Sequence, residues 1–308
     1  MAAARVFVVG TRGSRLALRQ TELLLAALRS RHEGIDVRVR EVRTEGDRRP
    51  HEPLSRIGGQ GVFVKELEAA LLRREIDLAV HSLKDVPAKL TPGLALAAYP
   101  QRADPRDVLV TRARGTMKQL ASGARVGTGS ERRAVQLRAI RPDLEYADIR
   151  GNVDTRVRKV DEGEYDAVVL AAAGLERLGL LERAAEVFPP DVVLPAVGQG
   201  ALAVEARAGD AELVELLAAI DDHDTRIACE AERAFLARLG GGCRLPFGAL
   251  ATVEGRTLRI RGFISDPAGA RVFRGDVSGA IADGEQLGVR LADELFAQGA
   301  SRFVEEAL

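Results

Sequence analysis

Val6-Phe-Val-Val-Gly-Thr-Arg-Gly-Ser-Arg-Leu-Ala-Leu18 sets the grammar of this chain. Val6–Val9 is a short apolar strand, Thr11-Arg12-Gly13-Ser14 is a turn, and a leucine-rich helical stretch runs from Ser14 to Arg31. Ile35–Val42 then alternates with period two. Beyond a polar loop the pattern predicts a helix over Val62–Arg74 and strands over Asp77–His81 and Leu94–Ala98. Such βαβα patterning implies an α/β fold, with a parallel or mixed sheet and helices on both faces.

Pro100-Gln-Arg-Ala-Asp-Pro-Arg106 has the composition of a linker, and the same grammar restarts after it. Strands are expected at Asp107–Thr111, Leu144–Ile149 and Asp166–Ala171, with a helix over Asn152–Glu162 and a helix-opening turn at Val126–Arg133. Pro189-Pro190 and Leu194-Pro-Ala-Val-Gly-Gln-Gly200 mark a second connection, followed by a strand over Ala201–Ala206. From Thr225 the character changes to one helix, a glycine run, strands at 247–253, 257–264 and 271–277, and an amphipathic helix over about 283–298. That carboxy-terminal part is a small α+β module.

At 308 residues, two or three domains are expected. The composition, 46% hydrophobic and 29% charged, is that of a folded soluble protein, and no apolar run is long enough to span a bilayer. The zero formal charge argues against a general nucleic-acid binder. Only Cys229 and Cys243 occur, so no disulfide framework is implied and a reducing cytoplasm is expected. Only five of the 45 basic residues are lysines, which leaves 40 arginines, the side chain suited to forked recognition of carboxylates.

Several βα junctions combine a polar cap, small residues and arginine. They are Thr11–Ser14, Gly127-Thr-Gly-Ser130 before Arg132 and Arg133, and Arg150-Gly151-Asn152 before Arg156; Ser82-Leu83-Lys84-Asp85 follows a strand end. A helix amino terminus offers unpaired N–H groups to an anion, and in open α/β sheets such loops gather at the carboxyl ends of the strands. No phosphate-binding glycine motif is present, so carboxylates are the expected ligand. Taken singly, each junction is an ordinary helix cap with a solvated arginine. His81-Ser-Leu-Lys-Asp-Val-Pro87 would place Asp85 at a sheet's carboxyl edge, ionised beside arginines and able to steady a cation or shuttle protons. The four histidines have no ligand spacing, so no metal site is expected. Leu239-Gly-Gly-Gly-Cys-Arg-Leu-Pro-Phe247 clears side chains from the approach to the Cys243 sulfur, which suits a thiol that carries something bulky. The loop Thr44–Gly61 ends in Ile57-Gly-Gly-Gln-Gly61 and is long enough to act as a lid.

In order and spacing these motifs, with Pro195-Ala-Val-Gly-Gln-Gly-Ala201 and Leu170-Ala-Ala-Ala-Gly-Leu-Glu-Arg177, closely resemble the hydroxymethylbilane synthase (porphobilinogen deaminase) family from end to end. The resemblance implies two periplasmic-binding-protein-like α/β domains with mixed sheets, residues 1–99 with 200–218 and residues 105–194, and a small α+β domain at 222–308. It implies a covalent dipyrromethane cofactor on Cys243, porphobilinogen as substrate, and Asp85 as the catalytic residue. Four porphobilinogen molecules would condense head to tail on that primer before hydrolysis releases the linear product, a step of tetrapyrrole and haem biosynthesis. Cofactor binding is expected of Ser14, Ser82, Lys84, Asp85, Thr128, Gly129, Ser130, Arg132, Arg133 and Arg156. Substrate binding is expected of Arg12, Gln20, Arg150, Arg156, Arg177 and Gln199. Arg56, Gly58, Gly59, Gln60 and Gly61 would form the lid; Arg56 and Gln60 stand where many members carry lysine. No nucleic-acid or membrane partner is expected, and the chain is expected to act as a monomer.

The chief rival is a two-lobed solute-binding or effector-sensing protein that closes on an anion without chemistry, for which neither Cys243 nor Asp85 would be needed. A cysteine hydrolase is weaker, because no histidine motif is aimed at position 243. Cys229 lies in a helical pattern and is expected to pack.

Overall fold

The computed structural model describes residues 5–48, 61–240 and 245–307. It divides into two compact units, Met1–Ala103 with Ala201–Arg226, and Asp104–Gly200 with Ile227–Leu308. The first unit is built on a mixed sheet of β1 (Val6–Thr11), β2 (Asp36–Glu41), β3 (Leu78–Ser82), β4 (Leu94–Ala98) and the late strand β10 (Leu202–Arg207). The order is β2-β1-β3-β10-β4; β1 runs parallel to β2 and β3, whereas β10 is antiparallel to both its neighbours.

Successive side chains of a strand point to opposite faces, and here both faces are covered. Phe7, Val9, Leu78 and Val80 pack with Leu24, Leu25 and Leu28 of the Arg15–Arg31 helix and with Leu213 and Leu217 of the Ala211–Ala218 helix. Ala79 turns the other way and packs, with Val8, beneath Leu67, Ala70 and Leu71 of the Lys65–Leu72 helix. Each such leucine contributes roughly 1.5–3 kcal/mol by leaving water.

The second unit repeats the plan. Its strands β5 (Asp107–Thr111), β6 (Arg125–Gly127), β7 (Glu145–Ala147), β8 (Ala167–Ala171) and β9 (Ala184–Val187) lie in the order β7-β6-β8-β5-β9. Again the first three are mutually parallel and the inserted strand, β5, is antiparallel to both neighbours. Val108, Val110, Val168 and Leu170 pack with Val157 and Val160; Leu109, Ala167 and Val169 pack with Met117, Leu137 and Phe188. The same unit contains an antiparallel meander of β11 (Phe247–Glu254), β12 (Thr257–Ser265) and β13 (Val272–Ala280). Phe235 of the His223–Arg238 helix and Leu291 of the Gly284–Leu295 helix both close on β12 at Gly262.

The segments expected as second and third domains thus share one compact unit while keeping separate sheets. Three short elements had no clear sequence pattern: β9, the Ala172–Arg177 helix that begins directly at the end of β8, and the Ala211–Ala218 helix. Among the described residues no helix is long and apolar enough to cross a membrane.

Candidate active site

In the first unit the exits of β1 and β3 lie side by side because the strands are parallel neighbours. Ser14 caps the first helix, its Oγ accepting from the N–H of Ala17 at 3.2 Å. Gln20, on that helix, donates from Nε2 to Ser82 Oγ at 2.8 Å and so ties the helix to the end of β3. Asp85 sits on the 3₁₀ turn Leu83–Asp85 that follows β3 directly. Leu83 anchors the turn: its side chain is buried, its N–H donates to Ala201 O at 3.1 Å, and its carbonyl accepts from Val86 N–H at 3.0 Å. Asp85 is therefore half-exposed on a fixed support, with Lys84 exposed beside it.

Arg12, expected to meet substrate, is paired with a carboxylate of its own unit. Its Nη2 and Nε reach the two carboxylate oxygens of Asp47 at 2.5 and 3.2 Å, and its guanidinium lies 3.9 Å from the ring centre of Phe63. Burial pushes the Asp47 carboxyl up, but Arg12 and Thr44 more than offset it and hold it below the usual carboxylate range. His81 is a core residue, its Nε2 3.1 Å from Glu205 Oε2 in the sheet interior.

The second unit gathers most of the expected basic residues. Ser130 precedes the Glu131–Arg138 helix, and its own N–H donates to Thr128 Oγ1 at 3.2 Å. A side chain at Gly129 would put its Cβ 2.7 Å from Asp148 Oδ1, so that carboxylate would have to move aside for any larger residue. Gly151 adopts φ 106° ahead of the Val153–Asp161 helix, and its carbonyl accepts from Arg156 Nε at 2.8 Å. Arg150 lies half-buried one residue earlier.

Arg132 and Arg133 converge on one wholly buried carboxylate, Asp107, which the sequence reading did not single out. Arg132 Nη1 donates to Asp107 Oδ2 at 2.7 Å and to Leu194 O at 2.6 Å. Arg133 donates to Oδ1 from Nε and Nη2 at 2.9 and 2.7 Å, and from Nη1 to Val169 O at 3.0 Å. Gln199, expected to meet substrate, is instead almost fully buried, with Nε2 on Asp107 Oδ1 at 2.9 Å and on Pro105 O at 2.8 Å. Burial works against the Asp107 charge, yet the two guanidiniums overwhelm it and hold the carboxyl far below its ordinary range. The only local hint was a charged residue opening the apolar run Asp107-Val-Leu-Val-Thr111, which must find partners if the strand is buried.

Arg156 and Arg177 stand apart. Among the described residues each has a backbone carbonyl as its hydrogen-bond acceptor, Gly151 O for Arg156 and Gly200 O, at 2.6 Å, for Arg177, and neither forms an ion pair. Burial, then the like charges of Arg133 and Arg150, push the Arg156 guanidinium down to about 10, against the partial relief of Asp148. Burial alone does the same to Arg177, with Glu176 only softening it. Among the described residues, Arg156 and Arg177 thus keep positive charge that no carboxylate pairs directly.

Cys243 and the lid residues Arg56, Gly58, Gly59 and Gln60 lie outside the described residues; Gly61 packs beside Pro87 of the Asp85 motif. Cys229 is fully buried on the His223–Arg238 helix, the packing role expected of it. No group of acidic, histidine or cysteine side chains among the described residues could hold a metal ion.

The family described as "Porphobilinogen deaminase, dipyromethane cofactor binding domain" matches residues 7–215, and "Porphobilinogen deaminase, C-terminal domain" matches residues 226–297. Porphobilinogen deaminase of Roseiflexus sp. (strain RS-1) is 55% identical over 96% of this chain and 97% of its own. That of Syntrophobacter fumaroxidans is 48% identical over 98% of both chains. Among solved structures, a nutrient-binding protein from Burkholderia cenocepacia bound to methionine aligns with 76% of this chain and 96% of its own, at 14% identity and a TM-score of 0.44. With two matched domains that together cover most of its length, the chain belongs to the porphobilinogen deaminase family.

Proposed function

We propose that the protein is a hydroxymethylbilane synthase, condensing four porphobilinogen molecules head to tail with loss of ammonia and releasing the linear tetrapyrrole by hydrolysis. The observation that carries this reading is the pair of half-buried guanidiniums, Arg156 and Arg177, with no carboxylate partner among the described residues. A desolvated cation pressed by like charges is stabilised by a ligand that brings anions. The donor set therefore fits dipyrromethane and porphobilinogen, whose acetate and propionate arms are carboxylates. Dipyrromethane, thioether-linked to Cys243, would supply the nucleophilic pyrrole carbon.

The chain's own groups divide the remaining work. Asp85, on its anchored turn, stabilises the cation left on porphobilinogen when ammonia departs and takes and returns pyrrole N–H protons. Arg150, Arg156 and Arg177 neutralise ligand carboxylates, with the Thr128 and Ser130 hydroxyls and the Gly129 N–H adding donors. Ser82, Lys84, Ser14 and Gln20 form the polar surround of Asp85, and Arg12 joins them through its Asp47 pair. We place the enzyme in a reducing cytoplasm, acting as a monomer on its small-molecule substrate.

Intact mass of the purified chain tests the reading. An adduct of two porphobilinogen-derived units, absent from Cys243→Ser, is expected. An active enzyme of unmodified mass would overturn it.

A further inference from the structure

We propose that Asp107 is a positioning residue for ligand binding: it holds Arg133 with every nitrogen engaged and uses that anchor to aim Arg132 at a ligand carboxylate. The proposal rests on the carboxylate-binding reading above. The two adjacent arginines are not equivalent. All three nitrogens of Arg133 are engaged, two on Asp107 and one on Val169 O. Arg132 uses Nη1 alone, so that among the described residues its Nε and Nη2 have no acceptor.

The two oxygens of Asp107 are likewise unequal. Oδ1 receives Arg133 twice and Gln199 once, which locks the carboxylate in place; Oδ2 receives Arg132. Leu194 O shares the same Arg132 nitrogen and is itself held by Gln136 Nε2 at 3.1 Å. Every atom that orients Arg132 is thus immobilised from behind, and its side chain, 7% exposed against 8% for Arg133, differs from its neighbour in its two unfilled nitrogens and not in burial. One carboxylate against two guanidiniums leaves the buried trio with a net positive charge, which adds to the field of Arg156 and Arg150. Asp107 itself is fully buried, so it acts through Arg132 and not by touching ligand.

A double-mutant cycle in the full-length holoenzyme tests this, with KM and kcat for porphobilinogen, thermal melting and intact mass as readouts. Arg132→Ala is expected to raise KM about tenfold or more, the scale of one charged hydrogen bond. Asp107→Asn should raise KM by a similar factor, and the double variant should be no worse than either single one, because both remove the same contact. If Asp107→Asn does not fold, Gln199→Leu replaces it in the cycle, since it loosens Oδ1 without stranding a charge; a smaller KM rise, about twofold to fivefold, that vanishes in the Arg132→Ala background is then expected. Multiplicative losses in the double variant, or a lowered melting temperature with unchanged KM, would overturn the role given to Asp107. A wild-type chain without the two-unit adduct would instead overturn the carboxylate-binding reading on which it rests.

Discussion

The two five-stranded sheets share one strand order and one pattern of directions, yet the charged side chains on their carboxyl-end loops are paired differently. In the first unit the arginine at the β1 exit is paired: Arg12 is clamped in two-point fashion by Asp47 and covered by Phe63. Its helix cap, Ser14, serves its own helix, and the half-exposed group on the turn after β3 is a carboxylate, Asp85. In the second unit the equivalent exits end in cations, two sharing one carboxylate and two more held only by backbone carbonyls. A repeated fold therefore fixes where loops emerge, and in the function proposed above the side chains on them divide reaction from recognition.

That division is broken most sharply by Asp85→Ala. The turn is anchored through Leu83, not through the Asp85 side chain, so the variant should fold normally. Turnover should fall by about 10²–10⁴, the range for loss of a positioned acid–base or charge-stabilising group, while the melting temperature stays within a degree or two of wild type. Near-normal bilane formation would remove Asp85 from the chemistry.

Paired and unpaired arginines should also respond in opposite senses. Arg156→Met removes a guanidinium that burial and two like charges already disfavour, so the melting temperature should hold or rise. The same change should cost about 1.5–3 kcal/mol of ligand binding, seen as a KM raised roughly tenfold to a hundredfold. Arg12→Met leaves the half-buried Asp47 with only its hydrogen bonds from Thr44 and should lose about 1–3 kcal/mol of stability, whatever it does to KM. Thermal melts and steady-state kinetics on the two variants measure both effects. A destabilised Arg156→Met with unchanged KM would erase the contrast.

What could be read from sequence and what could not follows the range of the interactions. The exits at Thr11–Ser14 and Gly127–Ser130 are local devices, a few residues of glycine and hydroxyl before an apolar period, and the fold follows from their alternation with strands. Asp85 was visible because strand, turn and proline stand together. Asp107 was not, because its partners Arg133 and Gln199 are 26 and 92 residues away. The pairing of Arg12 with Asp47 across 35 residues was hidden for the same reason, and so were the partners of β10, which inserts antiparallel between β3 and β4. Strand β9, Ala184–Val187, is too short and too alanine-rich to carry a period of its own.

The smallest expected effect concerns acid. In the first unit Asp210 is held at about 2, chiefly by its hydrogen bonds from Arg5, while in the second the Asp107 carboxyl is driven lower still by Arg132 and Arg133 against the cost of burial. A carboxyl whose folded value is depressed lends stability that is complete above its unfolded value, near 4, and is lost as pH falls through the folded one. The Asp210–Arg5 link should therefore fade between about pH 4 and 2, while the Asp107 trio persists to lower pH. Hydrogen exchange read by mass spectrometry suits this protein, which has no tryptophan to report on unfolding. Peptides spanning β1 and the Ala211–Ala218 helix should lose protection at a higher pH than those spanning β5. Asp210→Asn, which cannot titrate, should flatten that dependence for the first set alone. Simultaneous loss in both units would mean that acid acts on their common stability and not on the two charge arrangements separately.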